Sequence, residues 1–309
     1  MTVLKTDTSQ FPSLPDYPFS ENYFSISDPD VGELRMHYVD EGPRDAPVVL
    51  MLHGEPSWSF AWRKVITEVA NAGYRAVAPD HIGFGKSDKL ENREDYSYGK
   101  HKDWMEALVL GLDLKNIILA CQDWGGPIGL SVLARCEERF SAVVVSNTLL
   151  PNNQAPPKGI ADWPGDIVTN WVAMVKKLDD LPVADIVNGV CVSPLPAEVL
   201  RAYNAPFPDP THKAGVLSFP VLIPISHSMP GSEENRQVWQ VLEQWHKPFV
   251  VAFSDSDPST APWAEVFKQR VPGAKACSHP VIADAGHFVQ EEKGMELGKI
   301  IVEQVLEGL

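Results

Sequence analysis

A mainly parallel α/β sheet interrupted by a helical insertion is the fold class that this 309-residue sequence predicts. Three observations lead there. Short apolar runs alternate with amphipathic stretches in repeating order, strand then helix, which implies right-handed crossovers and parallel pairing. The run at 46–52 is almost wholly apolar, as a strand covered on both faces requires. The alternation then stops at Pro151, gives way to proline-rich, helix-prone chain as far as about Pro230, and resumes at Phe249. An insertion of that length is a lid rather than a loop.

The elements follow in chain order. The first 20 residues are rich in Ser, Pro and Asp and predict a surface arm. Residues 34–39 alternate as a strand, and 46–52 form the buried strand. Helical spacing over 59–72 ends at Gly73, a C-cap signal. Residues 74–78 are a short strand closed by Pro79. The spacing over 98–112 predicts a helix with Met105, Leu108, Val109 and Leu112 on one stripe. A strand at 116–121, a helix at 125–135 and a strand at 142–146 follow. Inside the insertion, 167–178 and 197–203 are helical. Beyond it come a strand at 249–253, a helix near 262–270, a strand at 278–283 and a helix at 291–309, where Leu297, Ile301, Val305 and Leu309 recur every fourth residue. The expected division is a core domain of 1–150 with 231–309, and a helical cap of 151–230.

Composition narrows the function. Hydrophobic residues make up 44% and charged residues 22%, a globular balance that excludes a disordered or fibrous chain. The net charge of −15, from 26 basic and 41 acidic residues, disfavours nucleic acid and anionic membranes as partners. It favours a small neutral substrate. No run of 18 apolar residues occurs and the N-terminus is polar, so no membrane span or secretory leader is expected. Cys121, Cys136, Cys191 and Cys277 show no paired spacing, which predicts reduced thiols in the cytoplasm and no metal site.

The chemistry concentrates in four loops, each directly after a strand. At 118–127 stands Ile-Leu-Ala-Cys-Gln-Asp-Trp-Gly-Gly-Pro. A buried strand, a polar residue and a glycine-opened helix describe a nucleophile elbow. Its central residue is Asp123. A carboxylate is nucleophilic at neutral pH without a base, and it can attack a saturated carbon or a strained ring to give an ester. Aspartate is also a good helix N-cap, so residue type alone leaves both roles open. At 51–57 stands Met-Leu-His-Gly-Glu-Pro-Ser, where the N–H of Glu55 can supply half of an oxyanion hole and that of Trp124 the other half. At 283–288, Ala-Asp-Ala-Gly-His-Phe places His287 last in the order nucleophile, acid, histidine. At 252–258, Ala-Phe-Ser-Asp-Ser-Asp-Pro offers Asp257 to orient that histidine, with Asp255 as a turn residue. The Gly-Phe-Gly-Lys-Ser stretch at 83–87 fails the phosphate-loop pattern because Asp80 stands where its first glycine is needed.

Together these residues resemble the α/β-hydrolase fold and, within it, the haloalkane dehalogenases. The resemblance runs from about Leu34 to the C-terminus and rests on His-Gly-Glu-Pro-Ser-Trp at 53–58, Cys-Gln-Asp-Trp-Gly-Gly at 121–126 and Ala-Gly-His-Phe at 285–288. It implies that Asp123 displaces halide from an alkyl carbon and that His287, oriented by Asp257, activates water to hydrolyse the ester. The Glu55 and Trp124 N–H groups would hold the oxyanion. It further implies two indole donors for the leaving halide, Trp124 and a lid residue. Trp171 falls at the family position, with Trp163 as the runner-up. No cofactor or metal is implied. The substrate is a small neutral halogenated molecule, the products are an alcohol, a halide ion and a proton, and the chain is expected to be a monomer. The lid has its own proline-rich sequence at 151–157, which leaves substrate size open. The rivals are an epoxide hydrolase, for which Tyr203 is the available lid acid, and a non-catalytic small-molecule receptor.

Overall fold

The computed structural model describes residues 1–152 and 165–306. Nine strands are present among them: β1 (Val3–Leu4), β2 (Asn22–Asp28), β3 (Gly32–Glu41), β4 (Val48–Leu52), β5 (Arg75–Pro79), β6 (Lys89–Leu90), β7 (Ile117–Asp123), β8 (Phe140–Thr148) and β9 (Phe249–Val251). The helices are α1 (Arg63–Asn71), α2 (Tyr98–Gly111), α3 (Gly125–Arg135), α4 (Gly165–Val175), α5 (Val183–Gly189), α6 (Ala197–Asn204), α7 (Ala214–Leu222), α8 (Ser232–Leu242), α9 (Ala261–Arg270), α10 (Val289–Glu292) and α11 (Gly294–Ile301). Among these residues no helix is long and apolar enough to cross a membrane.

Seven strands form one sheet in the order β2-β3-β5-β4-β7-β8-β9. The pairs β2/β3 and β3/β5 are antiparallel, and every pair from β5 to β9 is parallel. β4 is buried at every position and lies between β5 and β7. The order of strands along the sheet reverses around it, and the crevice at the carboxyl ends of such strands is where α/β sheets bind ligands. Packed against the sheet, α1 lies on α11, while α3 contacts both α2 and α8.

Several boundaries differ from the sequence reading, each for a physical reason. The arm is structured: Val3 and Leu4 pair with Leu90 and Lys89, and Tyr17 is buried with its hydroxyl 2.7 Å from Ser59 Oγ. β2 was not anticipated, because one face of that edge strand is solvated and its residues are mixed in polarity. The helix expected at 59–72 starts as a 3₁₀ turn, Ser59–Trp62. The strand expected at 278–283 is absent. A single bridge, Ser254 to Ile282, is all that extends the sheet there. The last helix breaks at Lys293, and the next residue, Gly294, passes close to Lys64, where an alanine methyl would lie 2.7 Å from Lys64 Cβ. Leu297, Ile301 and Val305 are buried as the four-residue spacing requires, while Leu309 lies outside the described residues. The loop at 80–88 folds on the buried Asp80, which accepts from the N–H groups of Ser59 and Lys86 and contacts His37 Nδ1.

Candidate active site

Asp123 is the last residue of β7 and stands just before α3. Its φ of +49° is a left-handed value that a non-glycine residue adopts only when its surroundings compel it. Two close approaches compel it. A Cβ on Gly54 would lie 2.3 Å from Asp123 Cβ, and a Cβ on Gly126 would lie 1.9 Å from Thr148 Oγ1. That threonine hydroxyl donates to the Asp123 carbonyl at 2.6 Å, locking the turn from β8. The carboxylate thus stands at the helix N-terminus, where the macrodipole favours negative charge. Its Oδ1 accepts the Glu55 N–H at 2.7 Å. Its Oδ2 lies 3.4 Å from His287 Nε2. Among the described residues no hydrogen bond joins the Trp124 N–H to it.

His287 and Asp257 arrive from two loops beyond β9. His287 Nδ1 lies 2.9 Å from Asp257 Oδ2. Asp257 is buried and accepts from Ser259 N, Ser259 Oγ and Thr260 Oγ1. Burial opposes its charge, yet the facing imidazole and those donors hold its pKa well below the usual carboxylate value. Burial likewise opposes charge on His287, but Asp257 and Asp123 together raise its pKa to about 10. Asp255 is exposed and accepts the Asp284 N–H, so it shapes the turn and does not reach the imidazole.

A cavity of 380 Å³ opens above these groups. Asp123, His287, Glu55, Trp124 and Trp171 all line it, with apolar walls from Leu149, Val168, Ile186 and Ile223. The Trp124 ring stacks on Phe219 of α7 at 4.8 Å and meets Tyr98 edge-on at 5.4 Å, which fixes the indole at the cavity wall. Trp171 reaches the same space from α4. Trp163 lies outside the described residues. The Glu55 carboxyl is buried, and its Oε1 has no hydrogen-bond partner. Burial and the adjacent Asp123 charge raise its pKa well above the ordinary value, which favours its neutral form beside Asp123.

Three supporting residues escaped the sequence reading. Gln122, fully buried one residue before Asp123, places Nε2 at 3.0 Å from His287 Nε2 and 3.1 Å from the His287 carbonyl. Gln290 Nε2 donates to Gln122 Oε1 at 3.0 Å. Asn147, at φ +39°, donates to Ser254 Oγ and to the Gly286 carbonyl, and accepts the Ser254 N–H, tying the end of β8 to both loops that carry Asp257 and His287. A polar residue inside the elbow, and one at the end of an otherwise apolar strand, were the available signals.

Comparison with known proteins agrees with this geometry. A family model described as the α/β hydrolase fold matches residues 47–185. A haloalkane dehalogenase of Psychrobacter cryohalolentis is 44% identical over 303 residues, covering 98% of each chain. One from Mycolicibacterium paratuberculosis is 41% identical over 304 residues, again 98% of each. The tetrameric structure of haloalkane dehalogenase DpaA from Paraglaciecola agarilytica superposes with a TM-score of 0.86 at 33% identity, covering 97% of both chains. Near-complete coverage at these identities, on the same doubly wound scaffold, establishes that this chain belongs to the haloalkane dehalogenases of the α/β-hydrolase fold.

Proposed function

We propose that the chain hydrolyses haloalkanes to an alcohol, a halide ion and a proton through a covalent ester on Asp123. The observation that carries this reading is the division of labour between the two Asp123 oxygens. Oδ1 is already held by the Glu55 N–H, whereas Oδ2 lies 3.4 Å from His287 Nε2, and Asp123 lines the cavity. Oδ2 attacks the alkyl carbon, the carbon–halogen bond breaks, and the halide leaves with its electron pair. An unpaired anion in an apolar cavity is expensive, and an indole N–H can only donate, so Trp124 and Trp171 are placed to hold it. His287 then takes a proton from water as the hydroxide attacks Cγ. Oδ1 becomes the oxyanion on the Glu55 N–H, joined by Trp124 N–H as the elbow relaxes. Collapse expels the alkyl oxygen, which takes the proton held on His287 and leaves as the alcohol, and ionisation of the resulting Asp123 carboxyl restores the carboxylate and releases the proton.

Electrostatics suit this order. Burial and the Asp123 charge favour the neutral form of Glu55, which adds no second charge beside Asp123 or the departing halide. In the free enzyme two carboxylates face His287 and favour its charged form. Alkylation consumes one of them, so the imidazole can release its proton and serve as base in the second half-reaction.

The helices α4 and α5, with Ile223 just after α7, line the cavity from the insertion side, and we assign residues 151–230 to a cap on a core of 1–150 and 231–309. The epoxide reading lacks its acid: Tyr203 is fully buried, donates to Glu291 Oε2 at 2.6 Å and does not line the cavity. Every group named belongs to one chain, so a monomer suffices for the chemistry, and gel filtration reads its oligomeric state. The four free thiols suit a reducing cytoplasm. The experiment is halide release from short bromo- and chloroalkanes. Asp123→Asn abolishes it, and His287→Phe accumulates an enzyme heavier by one alkyl group in intact-mass spectra. Diol formation from epoxides without any halide release would overturn the proposal.

A further inference from the structure

His287 Nε2 has one in-plane position, which holds either a lone pair or a hydrogen. Two neighbours compete for it. Asp123 Oδ2, at 3.4 Å, requires a hydrogen there. Gln122 Nε2, at 3.0 Å, requires a lone pair. The Gln122 amide cannot turn over to resolve the conflict. Its NH2 also faces the His287 carbonyl at 3.1 Å, which only accepts, and its oxygen is held by the Gln290 NH2 at 3.0 Å. Both glutamines are fully buried, so water does not compensate a reversed amide. Gln290 leaves its own Oε1 without a partner, the cost of presenting its NH2 to Gln122.

We propose that Gln122, held by Gln290, is a positioning residue that favours the neutral, Nδ1-protonated form of His287 once Asp123 is esterified. The proposal rests on the reading of Asp123 as nucleophile and His287 as base. While Asp123 is a carboxylate it outweighs Gln122 and the imidazole keeps its proton. When Oδ2 becomes an ester oxygen, its full charge is gone and the Gln122 N–H decides the contest. The Nε2 lone pair then faces the water that must be deprotonated, while Asp257 holds the hydrogen on Nδ1. The charged or titratable groups facing His287 are Asp123 from β7, Asp257 from the loop after β9, Glu55 from the loop after β4 and Asp185 across the cavity from α5. None of these four supplies a fixed donor to Nε2.

The test reads the imidazole directly. Asp123→Asn stands in for the uncharged ester, and the His287 ring is titrated by NMR with and without a second change at Gln122. Gln122→Leu in that background raises the midpoint by about one pH unit, the value of a lost charge-sensitive hydrogen bond. Gln122→Glu raises it further, because an acceptor replaces the donor with nearly the same shape. In single-turnover kinetics on the otherwise wild-type enzyme, Gln122→Leu slows ester hydrolysis about tenfold at neutral pH and recovers at alkaline pH, with alkyl-enzyme accumulating after the halide burst. Unchanged midpoints in both double variants, or a hydrolysis rate lowered equally at every pH, would overturn the proposal. Absence of any halide burst from the wild type would instead overturn the nucleophile reading, while the NMR midpoints still report on Gln122.

Discussion

Replacing Gly54 by alanine places a methyl group where the Asp123 carboxylate stands. The added Cβ would lie 2.3 Å from both Asp123 Cβ and Oδ1 and 2.7 Å from Cγ, whereas ordinary contact begins at 3.4 Å. Something must therefore move by about 1 Å. Asp123 has little freedom to do so, since its left-handed backbone is pinned by the Thr148 hydroxyl and Gly126 fits closely over that same residue. The remaining route is rotation of the carboxylate or retreat of the 53–56 loop, and either breaks the 2.7 Å bond from Glu55 N–H to Oδ1. A displacement of 1 Å at a reacting atom costs on the order of a hundredfold in rate. Overpacking also costs roughly 1–3 kcal/mol of stability. Single-turnover halide release from a bromoalkane measures the first effect, and urea denaturation measures the second. Gly99→Ala is the control: it lies in α2 with its nearest neighbour at 3.8 Å, so it is expected to leave the rate alone and to stabilise by up to about 1 kcal/mol. Halide release by Gly54→Ala within about threefold of wild type would refute the view that the glycine exists to admit the nucleophile.

Other expectations follow from the same geometry. Arg63 makes a paired contact with Glu291 at 2.5 and 2.7 Å, and both residues are buried, so Arg63→Met leaves that carboxylate with only Lys64 Nζ at 3.2 Å and the Tyr203 hydroxyl, and lowers stability by about 3 kcal/mol in urea titration. Its neighbour Tyr203→Phe removes only a donor to the same carboxylate and costs about 1.5 kcal/mol. Trp171→Phe weakens chloride binding about tenfold, read by fluorescence quenching; the same loss in Trp163→Phe with none in Trp171→Phe would move the donor role to Trp163. The Asp257–His287 pair also sets a pH window. Folding lowers the Asp257 pKa, so that contribution is present above about pH 4 and is lost as pH falls through the lower folded value. Folding raises the His287 pKa to about 10, so its contribution is complete below about pH 6.5 and fades as pH rises towards that value. The stability difference between wild type and Asp257→Asn is therefore greatest between about pH 4 and 6.5 and shrinks above pH 7. A difference that grew with pH would contradict the assignment.

Much of the architecture was legible in the residues. Parallel strands buried on both faces must be apolar along their whole length, and the runs that became β4, β7 and β8 declare themselves for that reason. A sharp strand-to-helix turn needs residues without bulk around it, so Gly125 and Gly126 pointed to Asp123 in the sequence, while the close fit of Gly54 against it is a tertiary contact. Chain order then singled out His287 among the histidines. Tertiary structure decided what depends on neighbours distant in sequence. β2 carries too little apolar pattern to be seen alone and exists because β3 pairs with it along its whole length. Residues 278–283 have strand-like composition but meet the sheet at one bridge only. The close fit of Gly294 in the last helix is set by Lys64, more than two hundred residues away. Of two aspartates two residues apart, the sequence favoured Asp257 for His287, and it is the fold that turns Asp257 inward and leaves Asp255 in water. Gln122 carries no motif of its own. Its proximity to the His287 imidazole arises from a contact spanning 165 residues, and local sequence holds no record of an interaction made at that distance.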